Sequence, residues 1–151
     1  MKMTLSDILN EKGHEVWSVS ADSSAYEALE LMAEKDIGAL VVIDQDKVIG
    51  MFSERDYARK VILMGKSSRE TLVSEIMTKP VCYVLPWTSL SECMSLMTQR
   101  HVRHLPIMEN DKLIGIVTIG DVVKAIISEQ ESVIHELQGF VDEALKDRQN
   151  P

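Results

Sequence analysis

The chain has few of the residues that build metal centres and disulfides. It contains only two cysteines, Cys82 and Cys93, in 151 residues. Their separation of eleven positions fits neither a zinc quartet nor a redox C-x-x-C pair. Cys93 also falls on an apolar stripe at helical spacing. We therefore expect no disulfide and a buried free thiol at Cys93.

Long apolar runs and an excess of basic residues are also missing. No apolar segment is long enough to cross a bilayer, and the N-terminal segment lacks the apolar core of a signal peptide. We therefore expect no membrane partner and a cytoplasmic location. The chain has 24 acidic and 16 basic residues, a net charge of −8. Because binding to nucleic acid depends on neutralising phosphates with lysine and arginine, this balance argues against nucleic acid as the main partner.

The common nucleotide-binding loops and catalytic groups cannot be found either. Gly65-Lys66-Ser67 resembles the end of a Walker A loop, but Lys60 stands where that loop needs its first glycine. A G-x-G-x-x-G segment is absent, which excludes a Rossmann site. No nucleophile with a neighbouring base can be argued. We therefore expect a binding protein and not an enzyme.

The chain does contain an internal sequence repeat with two copies. Segment 16–50 matches segment 81–115 at an offset of 65 residues without a gap. Further upstream, LSDIL (5–9) matches VSEIM (73–77) at an offset of 68, so the first copy has three extra residues. The duplication therefore covers most of the chain. The offset of 65 also relates three pairs near the end of each copy: Gly50 and Gly115, Ser53 and Thr118, and Asp56 and Asp121.

Each copy predicts a strand, a helix, a hairpin and a second helix. Apolar residues at i, i+3, i+4 and i+7 predict the first helix, with Ser24 and Thr88 as N-caps. Two apolar runs around a polar turn predict the hairpin. The predicted strands are Val16–Val19, Leu40–Ile43 and Val48–Phe52, then Val81–Val84, Leu105–Met108 and Leu113–Val117. We expect an α+β fold of two β-α-β-β-α units, residues 5–65 and 73–128, packed with pseudo-two-fold symmetry.

The last helix of the second copy continues past the end of the repeat. Apolar residues at helical spacing run from Ile126 to Ala144 and predict a helical extension over residues 129–151. This apolar face needs a cover. A second subunit in a homodimer is one candidate, and the N-terminal segment around Leu5 and Leu9 is the other.

The hydroxyl and the acid that end each copy allow two compatible interpretations. In the first, Ser53 and Thr118 cap a helix, and Asp56 and Asp121 bond back to the cap, as in a capping box. In the second, the helix N-terminus and the hydroxyl attract a phosphate, while the carboxylate accepts hydrogen bonds from a ribose diol. Because the pattern occurs twice in register after a hairpin, it favours a nucleotide clamp.

The repeat resembles the CBS domain, which occurs in tandem as a Bateman module. The resemblance lies in the ending I-G-h-h-[ST]-x-x-D (h, apolar), the strand start RHLPI (103–107) and the β-α-β-β-α order. The chain is similar to small stand-alone CBS-pair proteins. The resemblance implies two pseudo-symmetric clefts between the repeats that bind adenosine ligands such as AMP, ATP, NAD or S-adenosylmethionine. It also implies that Asp56 and Asp121 hold the ribose, with Ser53 and Thr118 near the ribose or the phosphate.

The resemblance further favours phosphate contact by Arg103 and His104, which open a strand whose equivalents face the cleft. The alternative is a solvated basic corner formed by RHVRH (100–104). The first copy has Gly38 and Ala39 at the corresponding places, which predicts a smaller uncharged edge and two unequal sites. His101 and His104 lack an evident third metal ligand, so we predict no metal.

The remaining candidates lie beside the clamp and at the strand starts. Arg55, next to the first clamp, is expected to assist. In related modules an adenine stacks or slots at the strand starts, which are residues 17–19, with Trp17 and Val19, and residues 82–84, with Tyr83. For Trp17 and Tyr83 the alternative is a purely packing role.

These features predict a non-catalytic regulatory module that senses an adenine nucleotide and passes the result to an unidentified effector protein. A ligand bound between the repeats would favour one relative orientation of the two. Two other interpretations stay open. One is a nucleotide hydrolase, and the other is a ligand-independent structural adaptor that acts through its C-terminal helix.

Overall fold

The computed structural model describes residues 3–149. They form six α-helices, one π-helical segment and five β-strands, so the predicted α+β class with two repeats and a long C-terminal helix is confirmed. Residues 150 and 151 of the predicted extension lie outside the described residues. In chain order the elements are α1 Leu5–Lys12, β1 Ser18–Ser20, α2 Ala25–Lys35, β2 Ala39–Asp44, β3 Lys47–Ser53, α3 Glu54–Tyr57, the π-helical segment Ala58–Ile62, α4 Val73–Ile76, α5 Leu90–Arg100, β4 His104–Glu109, β5 Lys112–Thr118 and α6 Ile119–Gln149.

The two hairpins are built alike. Strands β2 and β3 pair antiparallel with Ala39 opposite Ser53, and β4 and β5 pair with His104 opposite Thr118. Each hairpin closes through two residues with positive φ, Gln45-Asp46 and Asn110-Asp111. Such two-residue turns match the right-handed twist of the strands they join. The hairpins therefore place Ser53 and Thr118 at equivalent ends of the two sheets.

The strand predicted over Val81–Val84 is wrong. Strand β1 pairs parallel with β2 in a three-stranded sheet, but the second sheet has only β4 and β5. Of the predicted strand only Val84 makes a bridge, to Ile107. Pro86 and Pro106 occupy the positions of Ala21 and Val41, whose N–H groups donate to the Ile43 and Trp17 carbonyls in the first sheet, and a proline has no N–H for such a bond.

Of the two predicted helix N-caps, one is confirmed and the other is wrong. The Ser24 hydroxyl accepts a hydrogen bond from the Glu27 N–H and caps α2 as expected. The cap of α5 is Ser89 and not Thr88, because Ser89 accepts from the Glu92 N–H. The Thr88 hydroxyl instead accepts from the Leu85 N–H and stabilises the preceding turn.

The repeats exchange the short helices with which they begin. Helix α1 opens the first copy, yet Leu5 and Leu9 are buried in a core with Val117 and Val122 of the second copy. Helix α4 opens the second copy, and it packs into the other core, which contains Phe52 and Val61. Each core is therefore completed by a helix from the other half of the duplication, which joins the two repeats.

Two glycines allow this exchange. A Cβ atom at Gly115 would lie 2.5 Å from Leu9 Cδ2, and one at Gly50 would lie 2.6 Å from Met77 Sδ. Both distances are too short for real atoms, so these positions have no room for a side chain. Leu9 and Met77 end the matched segments 5–9 and 73–77. The repeated glycine therefore marks the place where an exchanged helix crosses the hairpin.

Helix α6 runs from the second core into solvent. Val122 and Ala125 in its first turns are buried, but every residue from Gln130 to Arg148 is exposed. From Met3 onward, the described N-terminal segment leaves this extension exposed: α1 shares a core with the start of α6, and the Met3 N–H donates a hydrogen bond to Glu129 Oε1. The exposed large apolar side chains past Ser128 are Val133, Ile134, Leu137, Phe140, Val141 and Leu145.

The two thiols are free, as the sequence predicts, and Cys93 is buried. Burial, followed by the nearby Cys82, raises the pKa of the Cys93 thiol to about 11. The thiolate is the reactive form of cysteine, so Cys93 acts as a packing residue.

The exchange can be tested with a double-mutant cycle. Gly115→Ala should lower the free energy of unfolding by about 1–3 kcal/mol through overpacking against Leu9, and Leu9→Ala by about 2–5 kcal/mol through a cavity. Because Leu9→Ala removes the clashing atoms, the double variant should lose at least 1 kcal/mol less than the two single losses together. Chemical denaturation measures all three values.

Two control variants sharpen this cycle. Gly50→Ala paired with Leu9→Ala should be additive, because Gly50 contacts Met77 and not Leu9. Gly139→Ala has open space around the new methyl group and should raise stability by up to about 1 kcal/mol. Additive losses for Gly115→Ala and Leu9→Ala would contradict the exchanged packing.

Candidate functional site

A cleft of about 550 Å³ opens where the two repeats meet. Three parts of the chain line it: the start of α3 with the adjoining strand ends, the segment after α4, and the segment that leads into β4. The structure brings seven predicted site residues together here, namely Ser53, Asp56, Arg55, Gly38, Ala39, Arg103 and His104. Although the whole chain is acidic, the charged side chains of this cleft are mainly basic: Arg55, Arg59, Lys60, Lys79, Arg100 and Arg103 stand against Glu54 and Asp56.

The first clamp forms a complete capping box at the start of α3. Asp56 Oδ2 accepts hydrogen bonds from the Ser53 N–H at 3.0 Å and from the Ser53 hydroxyl at 3.1 Å. The Asp56 N–H donates in return to Ser53 Oγ at 3.2 Å. The capping interpretation is therefore correct for this pair. It also fixes the carboxylate at the cleft wall, so it does not compete with a binding role.

The second oxygen of Asp56 has partners that the sequence analysis did not identify. Oδ1 accepts from the Thr78 hydroxyl at 2.9 Å and pairs with Lys60 Nζ at 3.1 Å. Lys60 lies four residues after Asp56 on the same helical turn, so its spacing was a usable signal. Thr78 follows the exchanged helix α4, and no local pattern could have placed it here.

The basic side of the cleft is formed by the start of β4. Arg103 is exposed and His104 is half-buried. Burial, and then the positive charge of Lys12, lowers the pKa of the His104 ring, so the ring is neutral at pH 7. A Cβ atom at Gly38 would lie 3.6 Å from His104 Cε1. Gly38 and Ala39 thus border the same cleft as Arg103 and His104, and the imidazole packs over Gly38.

The second clamp already holds a cation from the chain itself. Asp121 Oδ2 accepts from the Thr118 N–H at 2.9 Å, and the Asp121 N–H donates to Thr118 Oγ1 at 3.1 Å. Lys12 Nζ lies 2.7 Å from Asp121 Oδ2 and also donates to the Ile116 carbonyl at 3.0 Å. The two clamps therefore differ in their partners.

The protonation of Asp121 reflects these partners. Burial alone would raise the pKa of the Asp121 carboxyl, but the hydrogen bonds from Lys12 and Thr118 outweigh burial and lower it. The carboxylate is therefore fully ionised at neutral pH and is already paired.

The three extra residues of the first copy lie beside this second clamp. Lys12 ends α1, and the insertion falls between Leu9 and Val16 in the repeat alignment. Here Gly13 has a φ of 98°, a conformation that favours glycine. His14 Nδ1 then lies 2.8 Å from the Ile114 carbonyl. The longer connection therefore holds Lys12 and His14 against strand β5, next to Asp121.

The three residues predicted to contact an adenine do not line the basic cleft. Trp17 and Val19 pack beside the core of the first repeat, and Lys35 Nζ lies 4.2 Å from the centre of the Trp17 ring. Tyr83 is exposed and borders a separate groove of about 490 Å³ with Val48 and Met108. The adenine role predicted for these residues stays a prediction.

Among residues 3–149, no group of three or more His, Cys, Asp or Glu side chains could hold a metal ion. Over the same residues, no helix combines the length and the apolar character needed to cross a membrane.

Known proteins share this architecture. The family model described as "CBS domain" matches residues 5–62 and 73–128. The CBS domain-containing protein CBSX3, mitochondrial, of Arabidopsis thaliana is 36% identical over 148 residues, which cover 91% of this chain and 71% of the relative.

Two solved structures have a similar fold. A putative signal-transduction protein with CBS domains from Burkholderia ambifaria is 49% identical, with a TM-score of 0.82, covering 85% of this chain and 96% of that one. A hexameric CBS-CP12 protein from bloom-forming cyanobacteria is 26% identical, with a TM-score of 0.73, covering 82% of this chain and 67% of that one. The duplication, the exchanged helices and these matches agree: the chain belongs to the CBS domain family and carries the domain as a tandem pair, a module that is generally regulatory and nucleotide-binding.

Proposed function

We propose that this chain is a non-catalytic regulatory module that binds an adenine nucleotide, AMP, ATP or NAD, in the basic cleft between the repeats. One observation carries the proposal: the cleft gathers the Ser53–Asp56 clamp of one repeat and the Arg103–His104 strand start of the other. A carboxylate that suits a ribose diol and cations that suit a phosphate therefore share one site. Its volume of about 550 Å³ is typical of small-molecule sites.

The ribose end is the better defined of the two. Asp56 is held by Ser53, so it needs no further ordering to accept hydrogen bonds from two hydroxyls. A ribose diol would replace Thr78 and Lys60 at Oδ1, and the Lys60 side chain is 42% exposed, so it can move away at low cost. Hydrogen bonds to a charged acceptor contribute on the order of 1.5–3 kcal/mol each.

The phosphate end is supported by charge. Arg103 and Arg100 approach the cleft from the second repeat, and Lys79 approaches from the segment after α4. A guanidinium can bond two phosphate oxygens at once. The neutral His104 ring would be a further donor, and a bound anion would favour its protonation. A nucleotide phosphate therefore has more favourable partners here than an uncharged nucleoside.

The two clefts are unequal in this proposal. Asp121 is already paired with Lys12, whereas the partners of Asp56 are an exposed lysine and a threonine. The first cleft is therefore the main site, and the cleft at Thr118 and Asp121 binds weakly. The inequality of the two sites stays a prediction, for which we propose Lys12 as the main cause.

For regulation, we propose that the ligand shifts the equilibrium between relative orientations of the two repeats. The size of this shift is limited by how much more tightly the ligand binds one orientation than the other. The signal would pass to an effector protein in the cytoplasm, from a homodimer. The hexameric CBS-CP12 neighbour shows that related folds assemble. The exposed extension of α6 favours a second candidate function, a structural adaptor that needs no ligand.

A thermal-shift panel tests the proposed function against the adaptor. A ligand at one hundred times its dissociation constant stabilises the protein by about 2.7 kcal/mol, which should raise the Tm by roughly 5–10 °C for a chain of this size. We expect this for AMP, ATP or NAD, and a smaller shift for adenosine and for GMP. No shift with any nucleotide would favour the adaptor, and release of phosphate during incubation would instead indicate a hydrolase.

Asp56→Ala separates ribose binding from helix capping. Adenosine affinity should fall about 10–100-fold with the loss of one or two charge-assisted bonds, while stability should fall by only about 1 kcal/mol. Adenosine is the better probe because removing the carboxylate also makes the cleft more basic, which would favour a phosphate. Calorimetric titration measures the affinity.

Asp7→Ala is the matched control for this variant. Asp7 completes the same kind of capping box at α1, where its Oδ2 accepts from the Thr4 N–H at 2.8 Å, away from the cleft. This variant should lose similar stability and keep its affinity. If Asp56→Ala binds adenosine as tightly as the Asp7→Ala control does, the carboxylate acts only as a cap.

Lys12→Met should expose the second clamp. Removing the ammonium group frees Asp121 Oδ2, so a nucleotide titration should show a second site with at least tenfold higher affinity than in the wild type. Adenosine affinity at the first site should change by less than threefold, because Lys12 acts there on the charge of His104, which this proposal assigns to the phosphate. A titration curve identical to that of the wild type would show that Lys12 does not control the second cleft.

A further inference from the structure

The C-terminal extension of α6 carries an exposed apolar face that the proposed nucleotide site does not use. The matched family repeats end at residue 128, and the helix continues unbroken to Gln149. At 1.5 Å per residue the extension projects about 30 Å beyond the repeats. Leu137 is 58% exposed and Phe140 is 68% exposed. Burying each such side chain contributes roughly 1.5–3 kcal/mol, so a partner for this face is expected.

The shape of the apolar face indicates what kind of partner fits. At 100° per residue, the apolar side chains from Val133 to Leu145 cover roughly 140° of the helix circumference. A two-stranded coiled coil needs only a narrow seam, whereas a helix that packs on a globular surface has a wide stripe. The width of the stripe therefore favours packing of the extension on a globular surface over pairing with a single helix.

Charge argues against pairing of two extensions. Glu136 and Glu143 lie seven residues apart on one edge of the stripe, and Asp147 continues that edge. In an antiparallel pair the acidic edges of both helices would face each other. In a parallel pair, a seam through Leu137 and Phe140 would also bury Asp147 and force two carboxylates together. A docking surface with basic side chains would instead complement the acidic edge.

The first repeat of the same chain presents a surface with the matching properties. Ile62, Leu63 and Met64 are 55%, 76% and 67% exposed and form an apolar patch at the end of the π-helical segment. Lys66 and Arg69 follow it and are also exposed. The Arg69 guanidinium lies 4.0 Å from the centre of the Tyr26 ring, which holds it in place. We name residues 62–69 the basic–apolar patch.

We propose that the α6 extension of one subunit docks on the basic–apolar patch of a second copy of the chain, and that the two copies exchange this contact reciprocally. The exposed stripe would cover Ile62–Met64, with Glu136 and Glu143 beside Lys66 and Arg69. The contact lies between molecules because α6 is one continuous helix that points away from its own repeats, with every residue from Gln130 to Arg148 exposed. This inference rests on the proposed homodimer and adds its contact surfaces.

A charge-swap experiment tests this docking by sedimentation equilibrium. Glu136→Lys with Glu143→Lys should weaken the dimer at least tenfold, because the new lysines would face Lys66 and Arg69. Lys66→Glu with Arg69→Glu should weaken it to a similar degree. Combining all four substitutions restores opposite charges and should return the dissociation constant to within about threefold of the wild type. Truncation after Ser128 should give a monomer.

The matched control is Glu131→Lys with Asp142→Lys, on the same exposed helix but on the other side of the stripe. It should change the dissociation constant by less than threefold. Equal weakening by this control, or no rescue in the combined variant, would overturn the docking. All these positions lie outside the basic cleft, so nucleotide affinity should be unchanged throughout.

The outcomes also separate this inference from the homodimer on which it rests. A monomeric intact chain at micromolar concentration would overturn both. A dimer that survives truncation would keep the homodimer and overturn the role of the extension. Loss of the dimer on truncation, without any effect of Lys66→Glu and Arg69→Glu, would keep the extension as an interface and overturn the basic–apolar patch as its docking surface.

Discussion

The contact between an exchanged helix and a glycine of the opposite hairpin is the constraint on which the rest of the structure depends. Leu9 packs over Gly115, and Met77 packs over Gly50. Each contact completes a core and also carries the following segment across the boundary between the repeats. The segment after α4 brings Thr78 and Lys79 to the basic cleft, and the end of α1 brings Lys12 to the second clamp. The helices that stabilise the repeats therefore also complete the sites.

This dependence explains how a symmetric duplication gives two clamps with different partners. The clamps themselves are nearly the same, with carboxylate-to-backbone distances of 3.0 Å and 2.9 Å. The difference comes from the segments that follow the exchanged helices, where the first copy is three residues longer. The longer segment of the first copy keeps Lys12 in contact with Asp121. Beside Asp56, by contrast, lies an open cleft that is lined by arginines. Basic residues gather in one cleft of an otherwise acidic chain, and this charge is the basis for proposing an anionic ligand there.

Much of the fold could be predicted from the sequence because the same pattern of elements occurs in both copies of the repeat. The hairpins, the first helix of each copy and the buried Cys93 follow from periodicity and turn residues. The strand over Val81–Val84 failed because Pro86 and Pro106 lack the N–H groups that bond the corresponding strand of the first repeat to its neighbour. Leu5–Lys12 could be predicted as a helix, but its place in the core of the other repeat could not, since that depends on Gly115, more than a hundred residues away.

The candidate site was predictable only in part, for the same reason. Ser53, Asp56, Arg103 and His104 carry local motifs, and the structure places them in one cleft. Lys12 and Thr78 reach the clamps through tertiary packing, so no spacing in the sequence indicates them. Trp17 and Val19 lie on apolar positions that serve the core equally well. The local sequence thus identified side chains that could recognise a ligand. It did not identify the side chains from distant segments that contact the two clamp carboxylates.

The most direct test of the central claim is a crystal structure of the intact chain grown with AMP. The account predicts a nucleotide between the repeats, with its ribose hydroxyls within hydrogen-bond distance of Asp56 and its phosphate beside Arg103 and His104. The Lys12–Asp121 pair should remain closed. A nucleotide bound at Asp121 while the basic cleft stays empty, or no bound nucleotide at saturating concentration, would contradict it.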